Sequence, residues 1–419
     1  MHLKKSMSKN FRLLIACFAL NACHHDLLPE ENGDLSDIAT QAELVDLHFS
    51  GNLFGLKGEK FSKVLKTQLL YTVGSLSNKG VYPKVGHVEI VKSNVVYSDE
   101  HWDYWEYEAR LPVAWSKKLP MLPSVNLILP TAISNEELSK FYTAHDATCS
   151  LKPGLGDYYY YYNYRPHNAA CNIDSAREDY VIEVEASVQR NTSPVAEKHP
   201  EHHRIWEDNT LKVVSLFAKH VGDELIDDPG ITNFRDFKAT MLEMFARHPN
   251  FEFHEDGEFS VLRGTLEDGR QLEITAMLVG SYRDTSRYFR GFTEGTDLVI
   301  YNGHTGNGYG GLEEFVDMGQ WEENQHLMMF LNGCKTFSYL EETPSFESNE
   351  PFDNNSSSLD LDILVNATPT KFLDMDAASF AVIEGLLSPD RISYTQLLEG
   401  IKTNQIVIVT GEEDNQYPF

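Results

Sequence analysis

The chain has 419 residues, long enough for more than one core, and 42% of them are apolar and 11% aromatic, a composition that folds rather than stays disordered. Acidic residues outnumber basic ones 63 to 35, and a net charge of −28 repels nucleic acid and anionic headgroups. A nucleic-acid partner is therefore not expected.

The opening stretch, "MHLKKSMSKNFRLLIACFALNAC", sets Lys4, Lys5, Lys9 and Arg12 ahead of a short apolar core that ends in small residues, the pattern of an export signal. The core falls short of the about 20 apolar residues that span a bilayer. Its end, Leu20-Asn21-Ala22-Cys23, resembles the lipobox of bacterial lipoproteins. That resemblance implies a signal peptide over 1–22, acylation of Cys23, and a membrane partnership through this lipid in the bacterial cell envelope. His24 at the next position favours the outer membrane or cell surface. A plain cleaved signal with Cys23 as a bystander is the alternative. Residues 23–38 are acidic and punctuated, and read as a tether.

From 39 to 189 the pattern is mainly strand-like and predicts an antiparallel β-rich domain. "KTQLLYTV", "GHVEIVKSNVVYS", "DYWEYEARLPV", "SVNLILP", "YYYYYNY" and "DYVIEVEASV" are β-branched and aromatic runs bounded by turn formers, and one helix is expected near Asn135–Tyr142. The tyrosines from Tyr158 to Tyr162 read as a strand packed on both faces, or as an exposed row for stacking on sugars or peptides. Export makes thiol pairing favourable. Cys149 and Cys171 flank one polar, tyrosine-rich loop and form the natural disulfide, worth about 3 kcal/mol. With Cys17 in the signal and Cys23 taking the lipid, Cys334 is the thiol left over.

Residues 190–209 read as a polar linker, in which His199, His202 and His203 are expected to be solvated. No metal and no cofactor are expected. Beyond it, over 210–419, apolar strands ("LKVVSLFA", "QLEITAMLVGS", "DLVIYNG", "HLMMFLNG", "LDILVNA", "QIVIVTGEED") alternate with helical patterns ("NFRDFKATMLEMFARH", "DTSRYFRGFTEG", "DMDAASFAVIEGLLS", "SYTQLLEGI"). This predicts a mainly parallel sheet with helices on both faces. In such sheets reactive groups gather at the carboxyl ends of the strands.

Two of these strands end alike, one in Asn302-Gly303-His304 and the other in Asn332-Gly333-Cys334. If they are parallel neighbours, His304 and Cys334 emerge at one edge. An imidazole there would withdraw the thiol proton, and backbone N–H groups freed at the turns would hold an oxyanion. A strand ending in a histidine motif, followed after one helix by a strand ending in Gly-Cys, resembles the caspase, legumain and gingipain group of cysteine peptidases, over roughly Leu211 to Asp414.

The resemblance implies an α/β caspase-like C-terminal domain, behind the β-rich N-terminal one. It further implies Cys334 as nucleophile, His304 as general base, and Thr305 with Cys334 as the oxyanion hole, acting on a peptide or protein substrate. Thr305 stands where the group usually has glycine. Asp374 and Asp376 are expected to cap the following helix, with orientation of the imidazole as the alternative. Residues Glu341 to Ser358 read as a lid, a self-cleavage segment or a plain surface loop. The expected function is a lipid-anchored cysteine endopeptidase; the alternative is an inactive caspase-like module that binds or scaffolds.

Overall fold

The computed structural model describes residues 37–149, 180–190, 197–219, 228–245, 249–280, 295–305, 326–340 and 361–410. In chain order the strands begin with β1 (Ile38–Ala39), β2 (Ala42–Leu56), β3 (Val81–Pro83), β4 (Glu89–Ser98), β5 (Trp102–Ser116), β6 (Ser124–Pro130) and β7 (Val181–Arg190). They continue with β8 (Thr210–Ala218), β9 (Phe251–Asp256), β10 (Phe259–Thr265), β11 (Gln271–Val279), β12 (Leu298–Gly303), β13 (Leu327–Gly333), β14 (Leu361–Asn366) and β15 (Val407–Thr410). The helices are α1 (Phe61–Leu70), α2 (Thr72–Ser77), α3 (Asn135–Cys149), α4 (His202–Ile205), α5 (Pro229–Met244), α6 (Thr336–Tyr339), α7 (Met375–Leu387) and α8 (Tyr394–Gly400).

Two sheets form. The smaller is antiparallel, in the order β3-β5-β2-β7-β6 with β4 paired to β5, as the first half of the sequence predicts. The larger runs β1-β15-β14-β13-β12-β8-β11-β10-β9, and its centre, from β14 to β11, is parallel. Every residue of β12 and β13 is buried, which is why these strands read as unbroken apolar runs rather than alternating ones.

Alternation sorts their side chains between two cores. Ile300, Phe330 and Leu364 face a core built with α5, α7 and α8, where Phe237 stacks on Phe380 at 4.4 Å. Val299, Tyr301, Met329 and Leu331 face the other way and share a core with Ala42, Tyr82 and Ala114 of the smaller sheet. Helices were expected on both faces; among the described residues the second face meets the antiparallel sheet. The physical reason lies in β5: Leu111, Val113 and Trp115 fill the smaller sheet's own core while Ala114, between them, turns to the larger sheet. Each large apolar side chain so buried contributes about 1.5–3 kcal/mol. Both sheets lie within one compact unit, Ser36–Phe419.

Helix α5 starts where Asp228 accepts from the Gly230 and Ile231 amides at 2.7 and 3.3 Å, with Pro229 in the first turn. Helix α8 starts on a Ser393–Gln396 capping box.

Four readings change. "KTQLLYTV" is helical, because Val64, Leu65, Gln68 and Leu69 bury one face at helical spacing. The tether expected to run to residue 38 ends sooner: Ile38 pairs with Val409, and Asp37 is buried with both carboxylate oxygens 3.0 Å from Lys84 Nζ. His202, expected in solvent, is buried with Nε2 3.1 Å from the Ile392 carbonyl, although His203 is exposed. Asp374, at the N-cap of α7, makes no side-chain cap hydrogen bond. The signal, Cys23, Tyr158–Tyr162, Cys171, "DTSRYFRGFTEG" and the 341–358 loop lie outside the described residues. Cys149, at the end of α3, is disulfide-bonded.

Candidate active site

The site is built on two glycines facing each other. Strands β12 and β13 are parallel and paired Asn302 to Asn332 and Gly303 to Gly333, so His304 and Cys334 leave the sheet at the same edge, one residue past equivalent positions. Close approach requires both glycines. A Cβ on Gly333 would stand 2.7 Å from Thr305 Oγ1 and 3.0 Å from the Gly303 carbonyl, and one on Gly303 would stand 2.7 Å from Ala218 Cβ. The sharp turn itself falls two residues after Gly333, at Lys335, which adopts a left-handed φ of 55°.

The paired asparagines anchor this edge from within the sheet. Asn332 Nδ2 donates to Asn302 Oδ1 at 2.8 Å and to the Met375 carbonyl at 2.9 Å, while Gln405 Nε2 donates to Asn332 Oδ1 at 2.8 Å. Asn302 in turn accepts from Ser379 Oγ at 2.9 Å and donates to Ser215 Oγ at 3.2 Å. All five side chains are buried. Three neighbouring parallel strands thus carry a buried asparagine as their last or next-to-last residue, since β14 ends on Asn366, whose Oδ1 accepts from the Thr368 amide at 3.1 Å. Such a satisfied network fixes the strand ends because every alternative register leaves buried polar groups unpaired.

The loop after β14 completes the site. Thr370 donates its amide to Cys334 Sγ at 3.3 Å, and the thiol donates to the Thr370 carbonyl at 3.3 Å. The Lys335 amide donates to the Thr368 carbonyl at 3.1 Å. Thr305 is buried, and its Oγ1 donates to the Cys334 carbonyl at 2.6 Å. The hydroxyl that replaces the expected glycine therefore clips the histidine turn to the cysteine turn. His304 is exposed, its ring set edge-on to Phe372 at 5.2 Å, and its carbonyl accepts from the Tyr301 hydroxyl at 2.9 Å.

Cys334 is a free, half-buried thiol. Among the described residues its sulfur hydrogen bonds run to Thr370, and none runs to His304. Lys335, beside Cys334, is fully buried and reaches the smaller sheet's side of the unit, where Nζ donates to the Val73 carbonyl at 3.1 Å. Burial pulls its ammonium down to about 7, against a small opposing effect of Cys334.

Cys334, His304 and Thr305 are brought to one edge. Sequence reasoning missed Thr370, Asn366 and Lys335. The recurring strand end, Asn-Gly, Asn-Gly and Asn-Ala, was the available signal for Asn366. No family model matches the chain, and no curated protein matches it.

Proposed function

We propose that the chain is a thiol-dependent acyl-transfer enzyme of caspase-like type, a cysteine endopeptidase with Cys334 as nucleophile and His304 as general base. The observation that carries this reading is the in-register pairing of the two strand ends, which delivers a free thiol and an exposed imidazole to one sheet edge. The strand order adds support. Numbered along the chain, the five parallel strands run 2-1-3-4-5 in space, a doubly wound order whose crevice opens at the carboxyl ends, between β8 and β12. His304 follows one of those two strands.

In this mechanism a substrate carbonyl enters above Gly333. The Cys334 thiol passes its proton to His304, the resulting thiolate attacks the carbonyl carbon, and the tetrahedral oxyanion is held by the amides of Thr305 and Cys334. His304 then protonates the leaving amine, and water hydrolyses the thioester. The same reading carries the lipid anchor at Cys23 and a place in the bacterial envelope, both resting on residues 1–23.

A second reading, a caspase-like module that binds without catalysis, draws on the pairing of Sγ with the Thr370 peptide. A fluorogenic peptide library separates the two. Wild type is expected to cleave at least one class of peptide, Cys334→Ala to cleave none, and His304→Ala to lose about 100-fold or more in kcat/KM. Absence of cleavage by wild type across the library would favour the binding module.

A further inference from the structure

At the opposite end of β13 lies a second cluster of functional groups. His326 immediately precedes the strand that Cys334 follows, so the two sites are about 26 Å apart along the sheet. His326 Nε2 stands 3.2 Å from Glu201 Oε2 and 3.4 Å from Asp362 Oδ2, and one ligand atom from each of the three lies within 4.8 Å of the others. All three residues are buried, with 7, 8 and 2% of their surface exposed for His326, Glu201 and Asp362.

Their backbones are fixed independently. Asp362 belongs to β14 and His326 abuts β13. Glu201 begins the turn of α4, which is pinned by the His202–Ile392 contact and by the Tyr394 amide donating to the Lys198 carbonyl at 2.9 Å. The Tyr394 hydroxyl donates to Asp362 Oδ2. An outer donor of this kind is what orients a ligating carboxylate.

Two considerations decide what the cluster holds. The first is charge. Two carboxylates packed together in a buried site call for positive charge between them, and a divalent cation with a neutral imidazole balances both. The second is spacing. Charge-assisted N–H to carboxylate bonds run about 2.7–2.9 Å, shorter than both separations here. Ligands bonded tetrahedrally to zinc at about 2.0–2.2 Å stand about 3.3–3.6 Å from one another; the 3.4 Å separation falls within that spacing and the 3.2 Å one just short of it.

We propose that Glu201, His326 Nε2 and Asp362 form a binding site for a divalent transition cation of the zinc class, with a fourth position open. The ion ties the 198–205 segment to the amino ends of β13 and β14. Its role is separate from the thiol chemistry at the other edge, and neither depends on the other.

The test uses the full chain without an affinity tag, stripped with a chelator and titrated with Co²⁺ and then Zn²⁺. One equivalent of Co²⁺ is expected to bind with visible absorption bands that Zn²⁺ abolishes, and Zn²⁺ is expected to raise the melting temperature. Asp362→Asn and His326→Gln are expected to remove the equivalent. If either fails to fold, the wild-type stoichiometry and the visible Co²⁺ bands decide the matter. Sub-stoichiometric binding, absence of those bands, or binding unchanged in a folded variant would overturn the proposal.

Discussion

Replacing Lys335 with methionine is expected to raise stability by several kcal/mol at neutral pH and below, and by progressively less as the pH climbs toward 10. The lysine is fully buried next to Cys334, and burial lowers it to about 7 from the ordinary 10.5. Between those two values the unfolded chain binds a proton that the folded chain does not, so wild-type stability rises with pH across that window by up to about 1.4 kcal/mol per unit. Below about 7 both states are protonated and the full penalty remains. Methionine fills similar volume and carries no charge, which removes the penalty. The Val73 carbonyl keeps the Ser77 hydroxyl as a partner when the ammonium is gone. Chemical denaturation at several pH values checks this; a stability difference that does not vary with pH would contradict it. The same change is expected to lower activity, because Lys335 anchors the turn after Cys334 to α2. A group that costs stability while fixing a reactive residue is a familiar trade.

Replacing Asn332 with alanine is the opposite case, with an expected loss of about 3 kcal/mol. Its side chain makes three hydrogen bonds inside the sheet. Asn302 Oδ1 retains Ser379, but the buried Gln405 amide loses the acceptor that Asn332 supplies, and a cavity opens between β13 and α7. Denaturant titration should show a lower midpoint with an unchanged slope. A loss below about 1 kcal/mol would mean the asparagines are not what holds the two strand ends in register.

How much of this was legible depended on whether the signal lay in side chains. β12 and β13 were readable because burial on both faces leaves an unbroken apolar run; the matched Asn-Gly ends pointed to one edge only if the strands were parallel neighbours, and the structure supplies that pairing in register. Thr370 was not readable, because it meets the sulfur through its backbone amide and carbonyl, which any residue carries. Lys335 carries no local signal of burial; what buries it is the smaller sheet's side of the unit, distant in sequence.

"KTQLLYTV" misled because a short run rich in β-formers outweighed its helical spacing. The β9–β10 hairpin was overlooked despite a clear signal, Asp256-Gly257 between alternating apolar residues, with Gly257 at φ +56°. The buried cluster escaped because Glu201 and His202 sit in a segment whose composition reads as a linker. Their environment is set by His326 and Ile392, over a hundred residues away.

The central claim is that register, not sequence proximity, makes one working site of His304 and Cys334. It is tested most directly by intact-mass measurement of the full chain after exposure at neutral pH to a panel of peptidyl acyloxymethyl ketones. A single adduct on Cys334, formed about 100-fold more slowly in His304→Ala, is the predicted result. Equal rates in the two proteins, or no adduct on a thiol that a small alkylating agent reaches, would contradict it.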